Sequence, residues 1–281
     1  MKTQAPLTLV LGATGKTGSR LAARLTELGQ PIRTAARANA DIRFDWNQRA
    51  SYAPALNGVS RVYLLPPVLR LDFAPDVAAF LDLAEAVGVQ HITFLSAYGM
   101  EHAPAEVATR SVELDLQQRT AFGHTILRPA WFMQDFSETF LTPVDGAIVV
   151  PTGNGAEAFI DADDIARVAA ITLTDPQTHA GQAYNLTGPE ALTVAQAAAI
   201  ISEESGQTIT HVDLDRDSWI AAAIANGIPP MYEAVLRQLT ETIASGHGSR
   251  PEGTVQKITG TPAGTFRNYA HHNANIWKGS K

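Results

Sequence analysis

The sequence predicts an α/β protein: a doubly wound parallel sheet with a smaller, mainly helical C-terminal lobe. Three observations lead there. Short apolar runs alternate with helix-length segments through the first half of the chain. A glycine-rich turn joins the first apolar run to the first helical segment. Past about residue 150, helical segments dominate. Strands that alternate with helices need right-handed crossovers, and those make a mostly parallel sheet.

The elements follow in order. Leu7–Leu11 is the first strand, and Lys16–Leu28 is a helix with Leu21, Leu25 and Leu28 on one face, stopped by Gly29 and Pro31. Ile32–Ala36 and the short Ile42–Phe44 are the next two strands; Arg61–Leu65 is the fourth, halted by Pro66 and Pro67. A helix at about Asp76–Val87 places Val77, Phe80, Leu81 and Ala84 at spacings of three and four. His91–Leu95 is strand five, a helix near Ala105–Ala121 follows, and His124–Leu127 is strand six. Glycine and proline punctuate Pro143–Gly155. Helices are then expected at about Asp163–Leu173, Val194–Ser205, Arg216–Ala225 and Met231–Ala244, with strand Ala183–Leu186 returning to the main sheet. The expected domains are residues 1–150 and 151–281.

Composition narrows the function. The chain has 281 residues, with 21 Lys+Arg against 28 Asp+Glu, for a net charge of −7. An acidic balance disfavours a nucleic-acid binder, which needs a dense basic face. The absence of cysteine excludes Cys-ligated zinc, iron–sulfur clusters, a thiol nucleophile and disulfides. No apolar run approaches the ~18 residues of a membrane helix. The N-terminal apolar run meets a glycine loop rather than a small-residue cleavage site, so a cytoplasmic protein is expected. The expected partner is a small-molecule substrate, with no nucleic acid and no membrane.

The strongest motif is Gly12-Ala13-Thr14-Gly15-Lys16-Thr17-Gly18, between the first strand and the first helix. Gly12 allows the tight turn, Gly15 lets backbone approach a pyrophosphate, and Gly18 lets helix and strand sit close. The helix N-terminus then faces the anion. This is the loop of a Rossmann-type NAD(P)-binding domain, so Gly12, Thr14, Gly15, Lys16, Thr17 and Gly18 are candidate cofactor residues. No acid occurs between Glu27 and Asp41, where an NAD site usually holds one on the ribose. Arg37 stands just past the second strand instead, placed to clasp a 2′-phosphate, with Lys16 as a second charge, so NADP(H) is preferred over NAD(H). Arg33 reads as a solvated surface charge.

The lysines are Lys2, Lys16, Lys257, Lys278 and Lys281, with none between the second and the third. A Tyr-x-x-x-Lys pair is therefore impossible in the helix after strand five. Ser96 and Tyr98 follow strand five at the sheet edge where ligands bind, Ser96 as a cofactor contact and Tyr98 as a weak proton donor or substrate contact. After strand six, Phe132, Phe136 and Phe140 are spaced as a helical core stripe, and Trp131 and Met133 are the substrate candidates. Asp161, Asp163 and Asp164 precede a helix, where capping explains them better than a metal. His271 and His272 read as a surface pair, and no metal site is expected.

The glycine loop, Arg37, Leu127-Arg128-Pro129 with Phe132-Met133, Tyr184-Asn185-Leu186-Thr187-Gly188 and Phe266-Arg267-Asn268-Tyr269-Ala270 together resemble the NmrA-like atypical short-chain dehydrogenase/reductases. Phe44-Asp45-Trp46, Tyr63–Pro67 and Trp131-Phe132-Met133 look like the festuclavine dehydrogenase-like branch. The resemblance implies NAD(P)H binding, Asp45 and Trp46 near the adenine, and Leu65, Pro66 and Pro67 along the adenosine ribose. Many relatives keep a lysine in the helix after strand five; Thr109 or Arg110 falls near that position here. Two functions fit: an NAD(P)H-dependent oxidoreductase passing hydride to a quinone, an imine or iminium, or a conjugated carbonyl, and a non-catalytic NAD(P)-binding redox-sensing regulator.

Overall fold

The computed structural model describes residues 5–278, and Lys2 and Lys281 lie outside them. The chain forms two compact units that exchange segments three times. One comprises the chain up to Pro129 together with Ala162–Asn185; the other comprises Ala130–Asp161 and the chain from Leu186 onward. The sequence places one border near residue 150 and returns the strand Ala183–Leu186 to the main sheet; that strand does extend the sheet of the first unit, and a helix over Ala162–Thr174 also rejoins this unit by packing on its first helix.

The first unit is the expected doubly wound sheet. Its strands are β1 (Thr8–Leu11), β2 (Ile32–Ala36), β3 (Ile42–Arg43), β4 (Arg61–Leu64), β5 (His91–Leu95), β6 (Gly123–Pro129) and β7 (Gln182–Leu186), in the order β3-β2-β1-β4-β5-β6-β7. The pairs from β3 through β6 are parallel. β1 and β5 are buried along their whole length, as strands covered on both faces must be. The helices are α1 (Lys16–Glu27), α2 (Ala74–Ala86), α3 (Ala108–Gln118) and α4 (Ala162–Thr174). α1 buries Leu21 and Leu25, but Leu28 is 46% exposed, because the helix ends at Glu27 and Gly29 turns away with φ +66°. α4 packs against α1, and Arg20 Nε meets Asp163 Oδ1 at 3.3 Å. Phe44, Tyr52, Phe80 and Phe94 lie in the core of this unit.

The second unit holds α5 (Val194–Ser205), α6 (Arg216–Ala225), α7 (Glu233–Ala244) and α8 (Phe266–Lys278), with two small strand pairs. Thr193 and Gln196 form a capping box on α5. α8, which the sequence reading did not anticipate as a helix, packs on α5, and Trp277 Nε1 donates to the Phe136 carbonyl at 3.0 Å. The expected phenylalanine stripe is not a helical face. Phe132 sits in a strand-like bridge to Ile160, the helix Asp135–Glu138 is one turn long, and only Phe136 reaches the core, while Phe140 is 44% exposed. Among the described residues no helix is long and apolar enough to cross a membrane.

Candidate active site

Four adjacent strands of the first unit end in the predicted cofactor residues. Arg37 follows β2, Gly12 follows β1, Leu65 follows β4 and Ser96 follows β5, along the carboxyl edge of one sheet. The order reverses between β1 and β4, which makes this the switch point where open α/β sheets bind ligands. At ~4.8 Å per strand, the row spans roughly 14 Å.

The glycine loop is shaped by what its residues lack. Gly12 has φ +64°, which favours glycine, and a Cβ there would stand 2.3 Å from Leu65 Cδ2, a side-chain end that would have to swing away. A Cβ on Gly18 would stand 2.2 Å from the Gly12 carbonyl, which is the close helix–strand approach. Gly15 differs: its φ is −94°, and a Cβ would meet only the Gly12 oxygen, at 3.3 Å. That position is open on its outer side. Gly15 caps α1 with no side-chain acceptor, and the first turn of α1 holds no acid. A helix N-terminus without its own acceptor suits an external anion. Thr17 is buried, its Oγ1 accepting from the Tyr63 hydroxyl at 2.9 Å, so this side chain belongs to the core of the unit.

Arg37 is exposed and makes no hydrogen bond or ion pair among the described residues. The next acid, Asp41, is turned back on β2, where its Oδ2 accepts the Thr34 amide at 2.9 Å. Arg33 is not a solvated charge as expected: it donates to the Ala55 and Asn57 carbonyls at 2.9 and 2.6 Å. Trp46 Nε1 donates to the Leu65 carbonyl at 3.1 Å, and its ring meets Phe44, Tyr52 and Phe80 edge-on. The Trp46 segment and Leu65 are thus joined beside Gly12. Asp45 Oδ1 accepts the Asn47 amide at 3.0 Å, and Pro66 and Pro67 are half-buried next to Leu65. The glycine turn after β1, the exposed Arg37 guanidinium after β2 and the apolar ledge at Leu65 after β4 fit a nicotinamide dinucleotide.

At the other end of the row lies a charged cluster that sequence reasoning missed. Ser96 Oγ donates to Glu113 Oε1 at 2.5 Å. Glu113, on the buried face of α3, is 0% exposed. It also accepts Arg128 Nε at 2.9 Å, and its other oxygen accepts Arg128 Nη2 at 2.8 Å and Arg110 Nη1 at 2.7 Å. Arg128 Nη1 stands 3.3 Å from Glu101, whose Oε1 accepts Asn185 Nδ2 at 3.4 Å. Burial pushes the Glu113 carboxyl up, yet the bonds from Arg128, Ser96 and Arg110 hold it below the usual carboxylate value. The one signal in the sequence was Arg128, directly after the apolar pair Ile126-Leu127 near the end of β6.

The chain is similar to known proteins along nearly its whole length. The chain is 35% identical over 287 residues to the uncharacterized oxidoreductase YesF of Bacillus subtilis strain 168, covering 99% of this chain and 98% of that one. It is 31% identical to festuclavine synthase II of Penicillium roqueforti strain FM164, covering 96% and 99%. No family model matches. The chain belongs to the NmrA-like atypical short-chain dehydrogenase/reductases. It is an NAD(P)H-dependent reductase. The fold is shared with the NADPH-dependent quinone oxidoreductase QOR2 of Escherichia coli, solved with NADPH, at a TM-score of 0.77 and 23% identity over 95% of this chain and 99% of that one.

The reductase holds its predicted substrate residues in different settings. Tyr98, in the first unit, is half-buried and its amide donates to the Pro129 carbonyl at 2.9 Å. In the second unit, Trp131 lines an apolar recess with Phe140, Leu141, Val150, Trp219 and Leu236. Met133 does not line it: it is fully buried in the core with Phe136 and Phe266. Asp163 and Asp164 lie in the first turn of α4, where Asp164 pairs with Arg167, and Asp161 Oδ1 accepts Gln134 Nε2 at 2.8 Å. A second buried acid, Glu157, is 1% exposed and accepts the Trp131 backbone amide. Burial pushes this carboxyl up to about 7.

Proposed function

We propose that this reductase uses NADPH in preference to NADH and passes hydride to a small electrophile: a quinone, an imine or iminium, or a conjugated carbonyl. The observation that carries the cofactor choice is Arg37, an unpaired guanidinium just past β2 with no acid near it in sequence until Asp41. A guanidinium can hold a 2′-phosphate in two parallel bonds. When bound, the reduced nicotinamide supplies the hydride. The chain's own task is then orientation. Gly12 to Gly18 would hold the pyrophosphate, and Trp46 and Leu65 would bound the adenosine half.

The substrate class follows from the missing lysine. His102 stands four residues after Tyr98, where a Tyr-x-x-x-Lys pair would have its lysine, so this reading favours substrates that need little acid help. Hydride addition to an iminium gives a neutral amine with no proton transfer, and hydride addition to a quinone leaves a hydroquinone monoanion that takes its one remaining proton from water. QOR2, an NADPH-dependent quinone oxidoreductase of the same fold, supports an electrophile of this kind.

The deciding experiment is oxidation of NADPH and of NADH against a panel of quinones, azo dyes, enones and cyclic imines. Faster turnover with NADPH on at least one class is expected. Equal use of both dinucleotides overturns the cofactor assignment. Tight dinucleotide binding with no oxidation across the panel replaces the reductase reading with the redox-sensing regulator.

A further inference from the structure

We propose that Glu113 is a positioning residue that fixes the direction of one hydrogen bond: it holds the Ser96 proton, so Ser96 Oγ meets the cofactor as an acceptor only, and its donor is the carboxamide N–H of the nicotinamide. The proposal rests on the dinucleotide reading above.

The direction follows from counting donors. Four reach the two oxygens of Glu113: the Ser96 hydroxyl and Arg128 Nε at one, Arg128 Nη2 and Arg110 Nη1 at the other. Two guanidinium groups beside a fully buried carboxyl keep it ionised, and an ionised carboxyl can only accept. The proton between Ser96 and Glu113 therefore belongs to Ser96 and points at Glu113. Turning that hydroxyl towards a ligand would strip a buried anion of a short, charge-assisted bond. What Ser96 has left is its lone pairs, and these select a ligand that donates.

Position identifies the donor. Ser96 is 9% exposed and ends β5, the far strand of the row that Arg37 begins at β2. If Arg37 takes the adenosine phosphate, the nicotinamide half falls at the Ser96 end. The carboxamide is the hydrogen-bonding substituent of that ring, and its NH₂ donates. The same argument removes Ser96 as a proton donor to substrate.

The test uses the full chain and two dinucleotides, NADPH and its reduced 3-acetylpyridine analogue, in which a methyl group replaces the NH₂. Affinities are read by fluorescence titration, independent of turnover. Wild type should bind NADPH on the order of 10-fold tighter than the analogue, the worth of one ordinary hydrogen bond. Ser96→Ala should bring the two affinities together by weakening NADPH alone, and Ser96→Thr should keep them apart. Glu113→Gln offers Ser96 an amide donor, frees its proton and should narrow the gap through tighter analogue binding. If that variant fails to fold, the two Ser96 variants decide. Equal wild-type affinities, or a gap that survives Ser96→Ala, overturn the proposal while leaving the dinucleotide site standing. Failure of both dinucleotides to bind overturns the site and the proposal together.

Discussion

Glu113 and Glu157 are both buried, one in each unit, and their carboxyl groups shift in opposite directions. Both bear the cost of leaving water. Glu113 meets four donors, two guanidinium groups among their sources. Glu157 meets one backbone amide, from Trp131, and its Oε2 has no hydrogen-bond partner. Gly248 closes over it so tightly that a Cβ there would stand 2.1 and 2.2 Å from the two carboxyl oxygens. Burial sets the penalty, and the neighbouring donors decide whether the charge survives it.

The largest expected effect comes from making Glu113 resemble Glu157. Arg128→Met removes three of the contacts around Glu113 and Glu101 and should cost roughly 3–5 kcal/mol of unfolding free energy, the usual result of breaking a buried pair from one side. Urea denaturation at pH 7 measures it, and a loss below ~1 kcal/mol would show that water already compensates the cluster. The acid limb should change too. Because the folded Glu113 carboxyl lies below its unfolded value, its stabilisation is present above the ordinary carboxylate range and lost as pH falls through the folded value. That loss should flatten in the variant.

Glu157→Gln should act with the opposite sign. The folded carboxyl titrates at about 7, above its ordinary 4.5. Stability therefore declines as pH rises between those values, by roughly 3 kcal/mol in all, and levels off above them. The glutamine variant should gain about that amount at pH 8 and nothing at pH 4, where both states of the wild type are protonated. Denaturation curves at the two pH values test this; a gain equal at both would place its cause in packing rather than charge.

The smallest stability effects belong to the other end of the row. Gly15→Val, at a position whose φ any residue can adopt, should change stability by no more than about 1 kcal/mol while weakening dinucleotide binding at least ~100-fold. Arg37→Ala should leave stability within ~0.5 kcal/mol, since the guanidinium is exposed and unpaired. Its NADPH affinity should fall by ~1.5–3 kcal/mol, with NADH unaffected. A destabilisation beyond those bounds by either variant would break the division between an edge built to bind and a cluster built to hold.

The row at the sheet edge was legible because local rules write it. Alternating apolar runs gave the strands, Gly12 and Gly18 are demanded by backbone geometry, and Arg37 is conspicuous where an acid is usual. Contacts chosen by tertiary partners were not legible. Glu113 sits on a helix face with Val112 and Leu116 and becomes intelligible only once Arg128 is seen beside it. Thr17 followed the loop motif in sequence and the Tyr63 hydroxyl in space. Met133 and the phenylalanines misled because helical spacing was applied to a segment with a single helical turn. α8 was missed because its polar residues, Asn268, His271, His272 and Asn273, dilute the apolar signal of Phe266, Tyr269 and Trp277.

The interleaving of the two units has a consequence for synthesis. When the chain has emerged as far as Pro129, six of the seven sheet strands exist, but α1 still lacks the helix it packs against. That helix and the seventh strand arrive only after Ala130–Asp161, a segment of the other unit, has been made. The second unit in turn waits for α8 to cover α5. Neither unit can be finished before the other is begun, and a fragment cut at residue 150 leaves α1 without the helix that packs on it.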